Sequence, residues 1–76
     1  MEIETDYSRN PHERLSDREL QVLRLIAQGR TNGQMSDALA LSTKTISTYR
    51  RRILNKMRLK TNSELTLYAV KNNLVD

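Results

Sequence analysis

The sequence predicts an all-α fold, a four-helix bundle preceded by a flexible N-terminal arm. Capping boxes, in which serine or threonine is followed three residues later by glutamate or glutamine, begin at Ser16, Thr31 and Thr61. Apolar residues recur at helical spacing after each of these positions. No segment shows the sustained apolar–polar alternation of a strand, so helices joined by short loops are expected.

The first helix is predicted from about Asp17 to Gln28. Ser16 can accept a hydrogen bond from the backbone of Glu19, whose side chain can reach back to the Ser16 amide. Gly29 follows as the stop signal, because glycine readily adopts the left-handed conformation that ends a helix.

The second helix is predicted after the capping box of Thr31 and Gln34, ending near Leu39 or Ala40. The segment 40–42 then forms a tight connection of about three residues to the third helix. A short helix followed so closely by another is typical of a helix-turn-helix formed by the second and third helices.

The third helix is predicted over Thr43–Met57 with Ser42 as its N-cap. The fourth is predicted over Ser63–Lys71, after the capping box that starts at Thr61. The apolar residues that face inward from these helices are assigned to one core: Leu20, Leu23, Ile26, Ala27, Met35, Leu39, Leu41, Ile46, Ile53, Met57, Leu65 and Ala69.

The chain has 76 residues, enough for one domain, and neither the length nor the composition suggests a second. Residues 1–14 are polar and aperiodic and are assigned to a linker or disordered arm, in which His12 is expected to be solvated; residues 15–76 form the domain. With no cysteine and one histidine, a histidine triad or a multi-ligand metal site is not expected. No cofactor is predicted, and the absence of an apolar N-terminal run favours a soluble, cytoplasmic protein.

The formal charge of +4 is unevenly distributed. Residues 43–60 contain seven basic residues and no acidic residue, so this segment carries more positive charge than the whole chain. Such clustering is typical of a protein that binds a polyanion, although a basic helix face can also be simply a solvated surface.

A helical projection at about 100° per residue places Ile46, Ile53 and Met57 on the inner face of the third helix. The opposite face, called here the outer strip, has Lys44, Thr48, Arg51 and Asn55 at its centre, with Ser47 and Arg52 at its margins. The N3 position of this helix is Thr45, whereas the other three helices have glutamate or glutamine there. A helix end that meets a phosphate is expected to lack a carboxylate at this position.

Four segments resemble the LuxR-type helix-turn-helix family: residues 15–23 (LSDRELQVL), 25–32 (LIAQGRTN), 41–49 (LSTKTISTY) and 53–57 (ILNKM). The resemblance covers residues 15–75 and is closest to the output domains of FixJ/NarL-type two-component response regulators. It implies a bacterial, sequence-specific regulator of transcription that inserts the helix at about 43–57 into the major groove of double-stranded DNA.

Position by position, the resemblance implies base contacts for Ser47, Thr48 and Arg51, with Ser47 standing where many members have lysine. The phosphate contacts it implies are Lys44, Thr45, Tyr49, Arg50, Arg52 and Lys56. The fourth helix is implied to form a homodimer contact, for which Leu67, Tyr68 and Lys71 are the candidates. Arg51 is the best candidate for direct readout, because its planar fork can bond guanine O6 and N7 together.

Further partners implied by the resemblance are RNA polymerase and, in a longer protein, an N-terminal receiver domain and a sensor kinase. The alternative function is a protein-docking module, similar to the polymerase sigma-factor domain that shares this motif and contacts the transcription machinery rather than DNA. RNA binding is less favoured because no exposed stacking aromatics are evident. An enzyme is not expected, since no acid–base pair lies in a recognisable pocket motif.

Overall fold

The computed structural model describes residues 11–75 and contains helices without strands over this range, which confirms the all-α prediction. A 3-10 turn over Pro11–Arg14 is followed by four α-helices. They are labelled α1 (Asp17–Ala27), α2 (Asn32–Leu39), α3 (Thr43–Met57) and α4 (Asn62–Lys71). Residues 1–10 of the predicted arm, and residue 76, lie outside the described residues.

The helix N-termini follow from side-chain capping. Complete capping boxes begin at Ser16, Thr31 and Thr61, as the sequence predicts. At the start of α3, Ser42 accepts a hydrogen bond from the Thr45 backbone at 3.1 Å without a reciprocal side-chain bond. The helix boundaries therefore agree with the predictions to within one residue, since α1 ends one residue earlier and α4 begins one residue earlier than expected.

The connection between α2 and α3 is the predicted three-residue turn. Ala40 adopts a left-handed conformation with φ of 55°, which ends α2. The Leu41 amide donates to the Ser36 carbonyl at 3.1 Å, and the Ser36 hydroxyl donates to the Leu41 carbonyl. These bonds fix the direction in which α3 leaves the turn, as a helix-turn-helix requires.

All four helices contribute to one core. α3 packs against α1 and α2, and α4 packs against α1. The buried apolar residues are Val22, Leu23, Ile26, Met35, Ile46, Ile53, Met57, Leu65 and Ala69. This arrangement leaves one long side of α3 without a helix against it among the described residues.

The predicted inner face of α1 is partly wrong. Its buried residues are Glu19, Val22, Leu23 and Ile26, whereas Leu20 and Ala27 are only half-buried. The buried set has the spacing i, i+3, i+4, i+7 of one helix face. That face is rotated from the one that the predicted core residues Leu20, Leu23 and Ala27 would define. Leu39 and Leu41, beside the turn, are likewise half-buried, and they pack against the core from its edge.

Residues 11–14, which the sequence assigned to the arm, contact the helical body. The Nδ1 atom of His12 lies 2.8 Å from the Tyr68 hydroxyl, and the two rings meet edge to face. The expectation that His12 is solvated is therefore wrong, because its ring is half-buried against α4. None of the helices within residues 11–75 combines the length and the apolar character of a membrane span.

Candidate nucleic-acid interface

The outer strip of α3 is a solvent-facing row of polar and basic side chains. Lys44, Arg51 and Arg52 are exposed, and Thr48 is half-buried. The apolar face of the same helix is anchored in the core by Ile46 and Ile53, both of which are fully buried. Because the core fixes the rotation of α3, the strip is presented as one continuous surface.

The three candidate base-contacting residues differ in how exposed they are and in the hydrogen bonds that they already make within the protein. Arg51 is exposed, so its guanidinium group can extend toward a base edge. The Thr48 hydroxyl donates to the Lys44 carbonyl at 3.1 Å, which leaves its oxygen as an acceptor and its methyl group for apolar contact. Ser47 is half-buried and its hydroxyl lies 3.5 Å from the Asn32 amide nitrogen, at the limit of a hydrogen bond.

Asn32, the first residue of α2, links the two helices of the motif. Its amide nitrogen donates to Ser47, and its amide oxygen accepts from Arg50 at 3.4 Å. Arg50 is therefore directed toward α2 and is half-buried, at the edge of the strip. Tyr49 is also half-buried and packs on the hydrophobic core, so both of these candidate phosphate contacts have partners within the protein.

The N-terminus of α3 presents a cluster of small donors. The Ser42 hydroxyl lies 3.0 Å from the Thr45 hydroxyl, and Lys44 is exposed beside them. No acidic residue occurs in the first turn of this helix. The positive end of the helix dipole is thus not offset by a carboxylate, which favours an approaching anion.

Lys56, in the last turn of α3, forms the one ion pair of the described residues. Its Nζ atom lies 2.8 Å from the Oε1 atom of Glu19, whose side chain is 4% exposed against 44% for Lys56. The same Oε1 atom accepts the Ser16 amide at 2.9 Å. Burial alone would raise the pKa of Glu19, but the hydrogen bonds from Lys56 and Ser16 and the Lys56 charge hold that pKa below its ordinary value.

The candidate dimer residues lie together on α4. Leu67 is 57% exposed, the largest exposed fraction among the large apolar side chains described. With Tyr68 and Lys71 it lines a shallow groove completed by Leu59 and Glu64. A groove lined by apolar, aromatic and charged side chains together has the composition of a small protein–protein contact.

Sequence reasoning missed two residues of this region, Asn32 and the buried Glu19. For Glu19 the signal was present, because its spacing from Val22, Leu23 and Ile26 places it on the inner face of α1. For Asn32 there was no comparable signal, since its partners in α3 are 15 and 18 residues away. The Lys56 partner of Glu19 is 37 residues away and equally without a local signal.

These features define a helix-turn-helix domain with a basic, outward-facing second helix. The chain belongs to the luxR family of bacterial regulatory proteins, whose sequence profile matches residues 13–69. This membership confirms the resemblance found in the sequence. It also places α2 and α3 in a family of DNA-binding, transcription-regulating domains.

Relatives from several bacteria match over most of this chain. The transcriptional regulatory protein LiaR of Bacillus subtilis is 39% identical over 66 residues, which are 87% of this chain and 31% of that protein. The virulence factors putative positive transcription regulator BvgA of Bordetella pertussis is 48% identical over 60 residues, 79% of this chain and 29% of that protein. The response regulator GacA of Pseudomonas aeruginosa is 42% identical over 67 residues, 88% of this chain and 31% of that protein. The chain thus spans about a third of the length of the curated relatives it matches.

Proposed function

We propose that this chain is the DNA-binding output domain of a two-component response regulator and recognises a specific double-stranded sequence by inserting α3 into the major groove. The observation that carries the proposal is the acid-free outer strip of α3, exposed on a helix whose other face is fixed in the core. An α-helix fits the major groove of B-form DNA, where each base pair shows a distinct pattern of donors and acceptors. The names of relatives such as the response regulator GacA support the same assignment.

In this proposal the base contacts are made by Ser47, Thr48 and Arg51. Arg51 supplies most of the discrimination, because it is the exposed member of the three and carries a bidentate donor. Ser47 is held near Asn32 and contributes less.

The phosphate contacts fix the register of α3 in the groove without reading sequence. Those proposed are Lys44, Thr45, Tyr49, Arg50, Arg52 and Lys56. Lys44 and Arg52 are expected to contribute most, because both are exposed and no hydrogen bond or ion pair within the described residues engages their charged groups.

Two subunits are proposed to meet through Leu67, Tyr68 and Lys71 when they bind neighbouring half-sites. Further proposed partners are RNA polymerase and, in the longer protein that the relatives suggest, a receiver domain and its sensor kinase. The proposed location is the bacterial cytoplasm.

The test is to substitute Arg51→Ala and to measure affinity by fluorescence anisotropy. The probes are a duplex selected by this chain from a random library and a mixed-sequence duplex. The ratio of the two affinities should fall by about fivefold or more, since a bidentate arginine–guanine contact is worth about 1–3 kcal/mol. Arg24→Ala is the matched control: it removes the same side chain from the exposed face of α1, beside the groove between α1 and α2.

An unchanged ratio in Arg51→Ala would place sequence readout elsewhere. A chain that enriches no duplex from the library and does not bind the mixed-sequence duplex at low salt would instead favour the docking-module alternative.

A further inference from the structure

The Glu19–Lys56 ion pair connects the start of α1 to the end of α3 and combines a buried anion with an accessible cation. Glu19 is 4% exposed, and its Oε1 atom accepts hydrogen bonds from both the Ser16 amide and the Lys56 ammonium. Lys56 is 44% exposed. An ammonium group has three donors, so the one given to Glu19 leaves two for other acceptors.

This geometry has two opposing consequences for an approaching phosphate. The carboxylate fixes a long, flexible side chain in place, so that less conformational freedom is lost when Lys56 makes a further contact. The carboxylate also partly neutralises the ammonium. Because Glu19 lies on the inner side of the ammonium, a phosphate approaching from solvent would meet the cation first and the anion at longer, partly screened range.

We infer that Glu19 is a positioning residue for DNA binding: it holds the Lys56 ammonium so that its remaining donors meet a DNA phosphate at the edge of the interface. The inference rests on the proposed DNA-binding function and adds to it a residue that touches no DNA.

The chain itself indicates the substitution that isolates this role. In the capping box of α2, Gln34 accepts the Thr31 amide at 2.9 Å, the same distance at which Glu19 accepts the Ser16 amide in α1. Glu19→Gln therefore keeps the size of the side chain and its capping bond, and removes the charge that holds Lys56.

The test is a double-mutant cycle of Glu19→Gln, Lys56→Gln and the pair, with affinity for a short mixed-sequence duplex measured across a salt series. Lys56→Gln should weaken binding and reduce the salt slope by about 0.9, the loss of one phosphate contact. Glu19→Gln should weaken binding when Lys56 is present. In the Lys56→Gln background it should leave binding equal or tighter, because it then removes only a negative charge. We expect a coupling of at least about threefold in Kd between the two positions.

A coupling of the opposite sign would overturn the inference, because Glu19 would then only neutralise Lys56. Zero coupling would also overturn it, since a purely structural contribution of Glu19 would change thermal stability and leave the salt slope of Lys56 intact. Circular dichroism fixes a temperature at which all four proteins are folded. Arg51→Ala separates the two proposals: if it loses discrimination while the cycle shows no coupling, the DNA-binding proposal stands and the role of Glu19 fails.

A second measurement needs no substitution. Nitrogen-15 NMR of the lysine ammonium groups in the unmodified chain follows Lys56 directly. Addition of the mixed-sequence duplex should shift the Lys56 signal. If DNA shifts the signal of Lys44 and leaves that of Lys56 unchanged, the inference is wrong.

Discussion

Glu19 shows how a single charged residue can be part of a small core. Burying a carboxylate is unfavourable unless it is paired and hydrogen-bonded. Here the Ser16 amide and the Lys56 ammonium supply the partners, and no buried side-chain nitrogen or oxygen among residues 11–75 lacks one. The capping box that starts α1 is therefore also a tertiary contact, because the same carboxylate joins α1 to α3.

The stability that Glu19 contributes should disappear in acid. Since its pKa is lowered in the folded chain, this contribution is fully present above the ordinary glutamate pKa of the unfolded chain and is lost as pH falls through the lowered folded value. Glu19→Gln should therefore reduce the free energy of unfolding by about 1 kcal/mol at neutral pH, with a difference that shrinks in acid. Urea unfolding at a series of pH values measures it.

The control for that measurement is Glu64→Gln. Glu64 occupies the same position in the capping box of α4, is exposed, and accepts from the Lys60 and Thr61 amides. The Glu64→Gln variant therefore measures how much stability changes when a capping carboxylate becomes an amide and no ion pair is lost. If both substitutions have equal effects at neutral pH, the Lys56 contact adds nothing to stability.

For individual residues, the sequence predicted contacts between near neighbours in the chain and missed contacts between residues far apart in it. The Ser16–Glu19 box was predictable because its partners are three residues apart. The contact of His12 with Tyr68 joins residues 56 positions apart, and only the packed fold brings them together. A single polar side chain in an irregular segment carries no periodic signal of burial.

Among the secondary-structure elements, α3 differs in how its N-terminus is capped. Helices α1, α2 and α4 have complete capping boxes with glutamate or glutamine at N3. α3 has the Ser42 cap but carries Thr45 at N3, and its first turn contains no acid. The helix thus lacks one stabilising bond at the end where two of the proposed phosphate contacts, Lys44 and Thr45, lie.

Completing that capping box should separate stability from DNA binding. Thr45→Glu should stabilise the domain slightly, by up to about 0.5 kcal/mol, because Glu can bond the Ser42 amide. It should weaken DNA binding by about tenfold, because the new carboxylate faces the phosphates. Thermal unfolding and anisotropy with the mixed-sequence duplex measure the two effects.

Thr45→Gln is the matched comparison for that substitution, since Gln34 shows that glutamine completes such a box in this chain. It should give similar stability and weaken DNA binding less than Thr45→Glu does, because it removes the threonine hydroxyl from the proposed phosphate contact without adding a negative charge. Equal losses of affinity for glutamine and glutamate would show that the threonine hydroxyl, and not the charge, is what DNA binding requires.

The helix boundaries were predictable to within one residue because caps and stop residues act locally. The rotation of α1 was not. Leu20 and Ala27 are apolar, so the sequence predicts that they lie on the buried face of α1. A face that contains them does not contain Glu19, which is the residue that is buried. Which stripe is buried depends on where α3 and α4 pack, and hydrophobicity alone could not decide between adjacent stripes that are both partly apolar.

In the molecule as a whole, the basic surface and the exposed large apolar side chains lie on different helices. The basic outer strip belongs to α3, whereas Leu67 and Val70, the exposed large apolar residues described, belong to α4. α4 packs on α1, so the groove around Leu67 can meet a second protein while α3 meets DNA. Under the proposed function, DNA binding and self-association would therefore use different helices and could be altered separately.

Leu67→Gln should therefore weaken pairing of two chains and leave the binding of one chain intact. Burial of a leucine side chain stabilises by about 1.5–3 kcal/mol, so cooperative binding to a duplex with two selected half-sites should fall by about tenfold or more, while affinity for a single half-site stays unchanged. Val70→Gln is the matched control, because Val70 is 49% exposed on the same helix but does not line the groove. Anisotropy and sedimentation with both duplexes measure these effects.

An equal loss of cooperativity in both variants would mean that α4 contacts its partner through a wider apolar face than this groove. No loss in either variant would place the dimer contact on another part of the molecule.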